Sequence, residues 1–348
     1  MNIRKFTKKN TVAPQYVLQS LHFRDKIKAT GGKNMKMTKK VLSVIFAVLI
    51  SISMLVPSFA ASYGDAEAKP FANSEFFEYN GLNIHYRVFK AAGNEKAKIF
   101  MIHGFAMSTC CWEELARRLS AEGYTCVAAD LPDFGYSSRE NEDSTLYPRE
   151  DIMHALMTSV DDGKWYVAGH SMGGYIALAL AAKYPESVKN LMLFGTACNT
   201  GNPQWLNTMM TNKVFVSVTA PLMELAARFD FIVKGILGAA LCDAEYLKNY
   251  DISKITAPFR IKGSGAGALY SFSVLPKTDL EAVEKMPPVL YMNGDRDMAI
   301  KNADRELLRK HLPENSTDIT VKGGGHLFIE NRADETSAAV LDFIFQNK

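Results

Sequence analysis

Gly169-His170-Ser171-Met172-Gly173-Gly174 is the stretch from which the rest of this chain can be read. The apolar run Trp165-Tyr166-Val167-Ala168 precedes it, and an alanine-rich stretch of helical character, Tyr175 to Tyr184, follows. Gly-x-Ser-x-Gly set between a strand and a helix is the context in which the pattern exposes a serine hydroxyl at a sharp turn. The reason is steric. At the apex Ser171 is expected to take a strained backbone conformation, while Gly169 and Gly173 lack a Cβ and let strand and helix approach closely. The amide of Met172 then lies at the start of a helix, where an oxyanion can be bound.

Outward from that turn, strands and helices alternate. Glu75 to Glu78 and Leu82 to Phe89 are strand-like runs joined by Asn80-Gly81, a strong hairpin pattern. Lys98 to Ile102 is a continuous apolar strand of the kind found in a sheet covered on both faces, and it ends in His103-Gly104-Phe105-Ala106. A helix from about Trp112 to Glu122, closed by Gly123, leads to a buried strand, Tyr124 to Ala129, which ends at Asp130. A helix from about Pro148 to Val160 precedes the central strand, and Leu191 to Phe194 is the strand after it.

From 198 to 285 the alternation breaks. This segment shows helical pieces, Pro221 to Phe231 and Ala244 to Tyr250, and a flexible run, Gly263 to Gly267. The rhythm resumes with strand Val289 to Asn293, a helix near Ala303 to Leu312, strand Ile319 to Val321 and a helix from about Glu335 to Phe345. The order predicts an α/β fold with a mainly parallel sheet. Residues 75–197 and 286–348 form its core, with 198–285 inserted as a helical cap over one end of the sheet.

The net charge of +3 hides an asymmetry. Residues 1–60 hold 11 of the 40 Lys and Arg but 1 of the 37 acids, Asp25, which leaves 29 basic and 36 acidic side chains beyond them. That remainder gives no reason to expect a nucleic-acid partner. Met35 to Lys40 is a basic n-region, Val41 to Val56 an apolar h-region, and Ser58-Phe59-Ala60 supplies small residues for a signal peptidase. The h-region is shorter than the roughly 20 residues that span a bilayer. Residues 35–60 therefore read as a bacterial-type signal peptide cleaved near Ala60, leaving a secreted or extracytoplasmic protein with no stable membrane span, and 61–74 as a linker. Gly31-Gly32 stands just before Met35, and two glycine codons can form a purine-rich ribosome-binding sequence. Residues 1–34 are accordingly expected to be mis-assigned upstream or disordered sequence, an expectation that the nucleotide sequence tests. Five cysteines without Cys-x-x-Cys spacing suggest buried thiols rather than a metal site.

A serine hydroxyl needs a base, and the base an orienting carboxylate. The elbow requires them in the chain order Ser, Asp or Glu, His. His311 ends a predicted helix and reads as a solvated cation at its C-terminus. His326 follows Gly323-Gly324-Gly325 directly after a strand, at the carboxyl end of the sheet where open α/β sheets build their sites, and is the candidate base. Asp295 and Asp297 follow the strand Val289 to Asn293 and are the candidate carboxylates; Arg296 adjoins both and can pair with one at the surface. Met172 N–H and Phe105 N–H are the candidate oxyanion donors. His103 is expected to hold the Phe105 loop rather than to act as a base.

Taken together, these motifs resemble the α/β-hydrolase superfamily over about residues 75–345. His103-Gly104 is similar to its oxyanion motif, Gly169 to Gly174 to its Gly-His-Ser-Met-Gly-Gly elbow, and Gly325-His326 with Glu330 to its terminal Gly-His motif. Gly294-Asp295-Arg296-Asp297 resembles the family's Gly-x-x-Asp, whose last position is the triad acid, and this selects Asp297. Asp130-x-Pro-x-x-Gly-x-Ser resembles a structural loop that commonly reads Asp-x-Pro-Gly-x-Gly-x-Ser, with Asp133 in place of the first glycine.

The resemblance implies an eight-stranded sheet with helices on both faces and a catalytic triad of Ser171, His326 and Asp297, with no cofactor and no metal. The elbow is similar to those of monoacylglycerol lipases, small esterases, haloperoxidase-like esterases and some C–C bond hydrolases. Ester hydrolysis of a small-molecule substrate is expected, with Trp205, Met209, Met210, Phe215, Met223, Phe229, Phe231 and Leu237 forming mostly the cap's own core and in part facing an apolar acyl group. Amide or C–C bond hydrolysis on the same triad, or a catalytically silent binding protein on this fold, are the alternatives.

Overall fold

In the computed structural model, which describes residues 69–347, the chain enters the fold through a hairpin. The expected signal peptide, its cleavage site and the leader 1–34 lie outside the described residues. Strands β1 (Ser74–Tyr79) and β2 (Leu82–Phe89) pair antiparallel from Tyr79 opposite Leu82 outward. The turn between them is Asn80 at φ 48° and Gly81 at φ 87°. Two consecutive positive φ values match the right-handed twist of the flanking strands, which is why Asn-Gly is favoured there.

The sheet has eight strands in the order β1-β2-β4-β3-β5-β6-β7-β8. β3 (Ala97–Ile102), β4 (Tyr124–Ala129), β5 (Trp165–His170), β6 (Val188–Phe194), β7 (Val289–Gly294) and β8 (Thr317–Val321) run parallel; β1 with β2 and β2 with β4 are antiparallel. Every residue of β4, β5 and β7 is buried. A strand's side chains alternate between faces, so a strand buried at every position needs cover on both sides. Phe100, Ile102, Trp165 and Val167 pack with Ile152 and Leu156 of helix α2 (Arg149–Val160) and Ile176 of α3 (Met172–Lys183). Their neighbours Ile99, Met101, Tyr166 and Ala168 pack on the other face, with Leu115 and Leu119 of α1 (Glu113–Ala121) and Phe343 of the C-terminal helix (Ala333–Gln346).

Between β6 and β7 the chain is helical. The insertion runs α4 (Gln204–Met210), α5 (Lys213–Ala226), α6 (Asp230–Leu241), α7 (Ala244–Lys248), α8 (Ser253–Phe259), α9 (Ser264–Ser271) and α10 (Leu280–Glu284). Three expectations need correction. The helix expected over Pro221 to Phe231 is two helices: Pro221 lies inside α5, and Phe229, at φ −100° and ψ 100°, separates it from α6. The run Gly263 to Gly267 is not a flexible loop but the first turn of α9. Its glycines are there for close packing, since a Cβ on Gly265 would meet the Ala220 backbone and one on Gly267 the Asp133 side chain. Trp205, Phe229 and Phe231 are exposed rather than core. The seven-residue α4 buries none of its side chains fully, so it builds no interior for Trp205 to enter.

The two antiparallel strands are tied to the rest by a buried polar chain. His85 Nδ1 is 2.7 Å from Asp130 Oδ2 and His85 Nε2 is 2.7 Å from Ser74 Oγ. The amides of Thr109 and Tyr136 donate to the same carboxylate at 2.6 and 2.8 Å. Ser74, His85 and Asp130 thus repeat the hydrogen-bond connectivity of a catalytic triad, though not the chain order Ser, Asp, His. All three are sealed from solvent and serve the fold. Burial raises the Asp130 carboxyl, but His85 and then His103 outweigh it and hold it below the usual carboxylate range. Removing His85 leaves the buried Asp130 carboxylate without its side-chain hydrogen-bond partner. His85→Leu is therefore expected to cost about 3–5 kcal/mol, read from urea unfolding; a loss under about 1 kcal/mol would show that Asp130 needs no partner.

Candidate active site

Ser171 stands between β5 and α3 at φ 51° and ψ −119°. A non-glycine residue in this region is strained and persists only where its surroundings over-determine it. They do. Ser171 N donates to Phe194 O at 2.9 Å, Gly174 N donates to Ser171 O at 2.9 Å, and Thr196 Oγ1 donates to the same carbonyl at 2.8 Å. A Cβ on Gly173 would press into the carbonyl oxygens of Ile102 and His103, so the helix can begin only this close to β3 with glycine there. Thr196, just past β6, is a support that carries no motif in the sequence.

His326, in the loop after β8, bridges the serine to a carboxylate. Its Nε2 lies 2.9 Å from Ser171 Oγ and its Nδ1 3.0 Å from Asp297 Oδ2. A carboxylate oxygen accepts, which assigns the ring hydrogen to Nδ1 and leaves the Nε2 lone pair for the serine hydroxyl. Asp297 is itself held by Ala299 N, which donates to Oδ1 at 2.8 Å, and by Arg305, whose Nη2 is 3.3 Å from Oδ2 and 2.8 Å from the Asp297 carbonyl. Burial raises the Asp297 carboxyl, but His326, the Ala299 amide and Arg305 outweigh it and hold it below the ordinary carboxylate range. Arg305, on helix α11 (Asn302–His311), had no signature in the sequence; the cation beside the carboxylate is this one and not Arg296.

The other candidates have other partners. Asp295 is exposed and accepts from Gly323 N at 2.7 Å, which closes the turn against the His326 loop. His311 bonds back to Leu307 O at 2.8 Å on its own helix. His103 donates from Nδ1 to Gly104 O at 2.7 Å and accepts at Nε2 from Leu131 N at 3.0 Å. Both its nitrogens are spent on holding the loops after β3 and β4, and burial lowers its pKa.

The two candidate oxyanion amides belong to the residue after Ser171 and to the loop after β3. Met172 is the first residue of α3, and a first-turn amide has no carbonyl within its helix. Phe105 follows Gly104, where a Cβ would come 2.9 Å from Ser171 Cβ. The Phe105 ring packs on Phe134 at 6.0 Å and on Phe272, from the insertion, at 4.7 Å. Among the described residues no group of three or more His, Cys, Asp or Glu side chains is placed to hold a metal ion. All five cysteines are free thiols.

A family model for the alpha/beta hydrolase fold matches residues 99–333, a span that takes in the elbow, both loops and the insertion. The chain belongs to this family. A pimeloyl-[acyl-carrier protein] methyl ester esterase of Xylella fastidiosa (strain 9a5c) is 26% identical over 253 residues, 71% of this chain and 94% of that one. Lipase 1 of Psychrobacter immobilis is 28% identical over 250 residues, 69% of this chain and 74% of the relative. Among solved structures, wild-type Cfl2 from Burkholderia cenocepacia superposes with a TM-score of 0.62 at 23% identity, over 78% of this chain and 95% of that one, a likeness of fold.

In this alpha/beta hydrolase the residue after the terminal Gly-His that stands out is Glu330. It lies four residues past His326 on the helical turn Phe328–Asn331, buried, with Tyr250 Oη donating to Oε1 at 3.4 Å. Burial, against the opposing effects of Tyr250 and Lys254 and with those of Glu113 and Glu114, pushes its carboxyl up to about 8. The folded state therefore takes up a proton that the unfolded chain gives up near 4.5. The stabilisation from this group is complete below about pH 4.5 and is lost as pH rises through about 8. Glu330→Gln keeps the shape without the charge. Its Tm relative to the parent is expected to improve steadily from about pH 5 to about pH 9; a gap that does not change with pH would mean that Glu330 is already ionised when folded.

Proposed function

We propose that this protein is an extracytoplasmic serine hydrolase that cleaves small-molecule carboxylic esters. The observation that carries the reading is the single imidazole of His326 in hydrogen-bond reach of both Ser171 Oγ and Asp297 Oδ2. Relatives named as an ester esterase and a lipase support the bond type. The ring of Phe105, the residue after Gly104 at its contact with the serine, packs on Phe272 of the insertion and supports an apolar acyl group.

In this reading His326 Nε2 takes the Ser171 proton as Oγ attacks the ester carbonyl. Asp297 keeps the ring in the tautomer that can accept and stabilises the imidazolium that forms. The amides of Phe105 and Met172 hold the tetrahedral oxyanion. As the intermediate collapses, the C–O bond to the alcohol breaks and His326 returns the proton to the leaving oxygen. Water, deprotonated by His326, then attacks the acyl-enzyme, frees the acid and restores the serine hydroxyl. The insertion acts as a cap over the carboxyl ends of the strands.

The test is hydrolysis of p-nitrophenyl esters from acetate to palmitate, with a fluorophosphonate as an active-serine probe. Turnover together with labelling at Ser171 is the expected result, and the acyl-length optimum separates a short-chain esterase from a lipase. Labelling without turnover of any ester would transfer the assignment to amide or C–C bonds. Neither labelling nor turnover would mean a binding protein.

A further inference from the structure

His170, the residue before the serine, is a second imidazole that the triad does not use. It closes β5, is 1% exposed, and packs edge-on against Trp112 with ring centroids 6.4 Å apart. Its ring stands 4.9 Å from that of His326, and its Nε2 is 2.8 Å from the His326 backbone oxygen. A carbonyl only accepts, so Nε2 carries the hydrogen. Nδ1 is buried with no hydrogen-bond partner. A proton there would create a buried cation and an unsatisfied donor together, so the ring is kept neutral. The titratable groups facing it are His326, Asp297 and His103; burial first, then His326, holds its pKa down to about 3.

The neighbourhood is shaped around this contact. Gly195, at φ +52°, lies where a Cβ would come within 3.2 Å of the His326 oxygen and 3.4 Å of both His170 Nε2 and His326 Nδ1. On the other side, His326 follows three glycines, a backbone with little preference of its own. Something outside the loop has to set its position.

We propose that His170 is a positioning residue for His326: its neutral imidazole clamps the His326 carbonyl and so fixes the base between Ser171 and Asp297. It does this without adding a second positive charge beside the imidazolium formed in each proton transfer. The inference rests on the hydrolase reading above.

Two substitutions separate reach from polarity. His170→Gln carries an amide N–H out to the level of Nε2, whereas the amide of His170→Asn ends near the level of Nδ1, short of the carbonyl. His170→Asn is expected to lower kcat on p-nitrophenyl butyrate about 30- to 100-fold with KM within about threefold, and to slow fluorophosphonate labelling equally. The acid limb of its kcat/KM profile should move to lower pH by about half a unit, because a loosened Asp297 contact favours the imidazolium less. His170→Gln should recover to within about fivefold of the parent.

Equal losses in both variants, a loss confined to KM, or an unmoved acid limb overturns the proposal. The low-field proton resonance of His326 Nδ1–H reads the clamp without turnover, and it should persist in His170→Gln even if His170→Asn does not fold; its loss in folded His170→Gln also overturns the clamp. A parent with no Ser171-dependent hydrolysis defeats the hydrolase reading instead. An active parent, with turnover and resonance unchanged in His170→Asn, defeats only the clamp.

Discussion

Ser171→Ala is expected to lower kcat on p-nitrophenyl butyrate by about 10⁴- to 10⁶-fold, with the fold intact by circular dichroism. In the proposed mechanism this hydroxyl forms the acyl-enzyme, and among the described residues Ser171 Oγ is the hydroxyl hydrogen-bonded to His326 Nε2. His326→Ala is expected to lose about as much, and the double variant little more than either, because the two groups act as one unit and their effects do not add. Additive losses would mean that Ser171 and His326 do not exchange a proton. A residual activity about 10³-fold above water in the double variant would measure what the Phe105 and Met172 amides supply on their own.

Asp297→Asn is expected to lower kcat by about 10⁴-fold with little change in KM. Burial would favour a neutral acid at this position, but the surroundings hold the carboxyl ionised at neutral pH: His326, the Ala299 amide and Arg305 all favour the charge. An amide in its place turns an N–H towards His326 Nδ1. The ring then places its hydrogen on Nε2, where it can no longer accept the serine proton. Arg305 at 3.3 Å also loses its counter-charge in a buried setting, so a fall in Tm should accompany the loss. Asp295→Asn is the matched control: that carboxylate is exposed and spends itself on Gly323 N, so kcat should stay within about threefold. If Asp295→Asn is the crippling change, the orienting carboxylate has been assigned to the wrong residue.

Features governed by short-range rules were legible in the chain itself. Asn80-Gly81 makes its turn because two positive φ values are cheap for these two residues. Gly169-x-Ser171-x-Gly173 makes its elbow because glycines admit a backbone contact that a Cβ forbids. The strands with near-continuous apolar runs announce a sheet covered on both faces, and the doubly buried β4, β5 and β7 follow. Ser171 and His326 could be named as candidates because each lies at or just past the carboxyl end of a strand, and parallel strands carry those ends to one edge of the sheet. The choice of Asp297 over Asp295 rests on the resemblance to the family's Gly-x-x-Asp.

What surrounds them could not be named, because it depends on contacts with no local period. His170 meets the carbonyl of His326 across 156 residues, and Thr196 reaches the Ser171 carbonyl across 25. Arg305 beside Asp297 and His85 beside Asp130 are ordinary polar side chains in the sequence; burial alone makes them supports. Packing likewise overrode composition at Gly265 and Gly267, where glycines form a helix turn because Ala220 and Asp133 leave no room for a Cβ. Local sterics and apolar patterning thus wrote the sheet, the elbow and the order of the three site residues into the sequence. The tertiary structure alone decided which buried partners hold them, because desolvation gives a polar contact its weight only after the chain has closed around it.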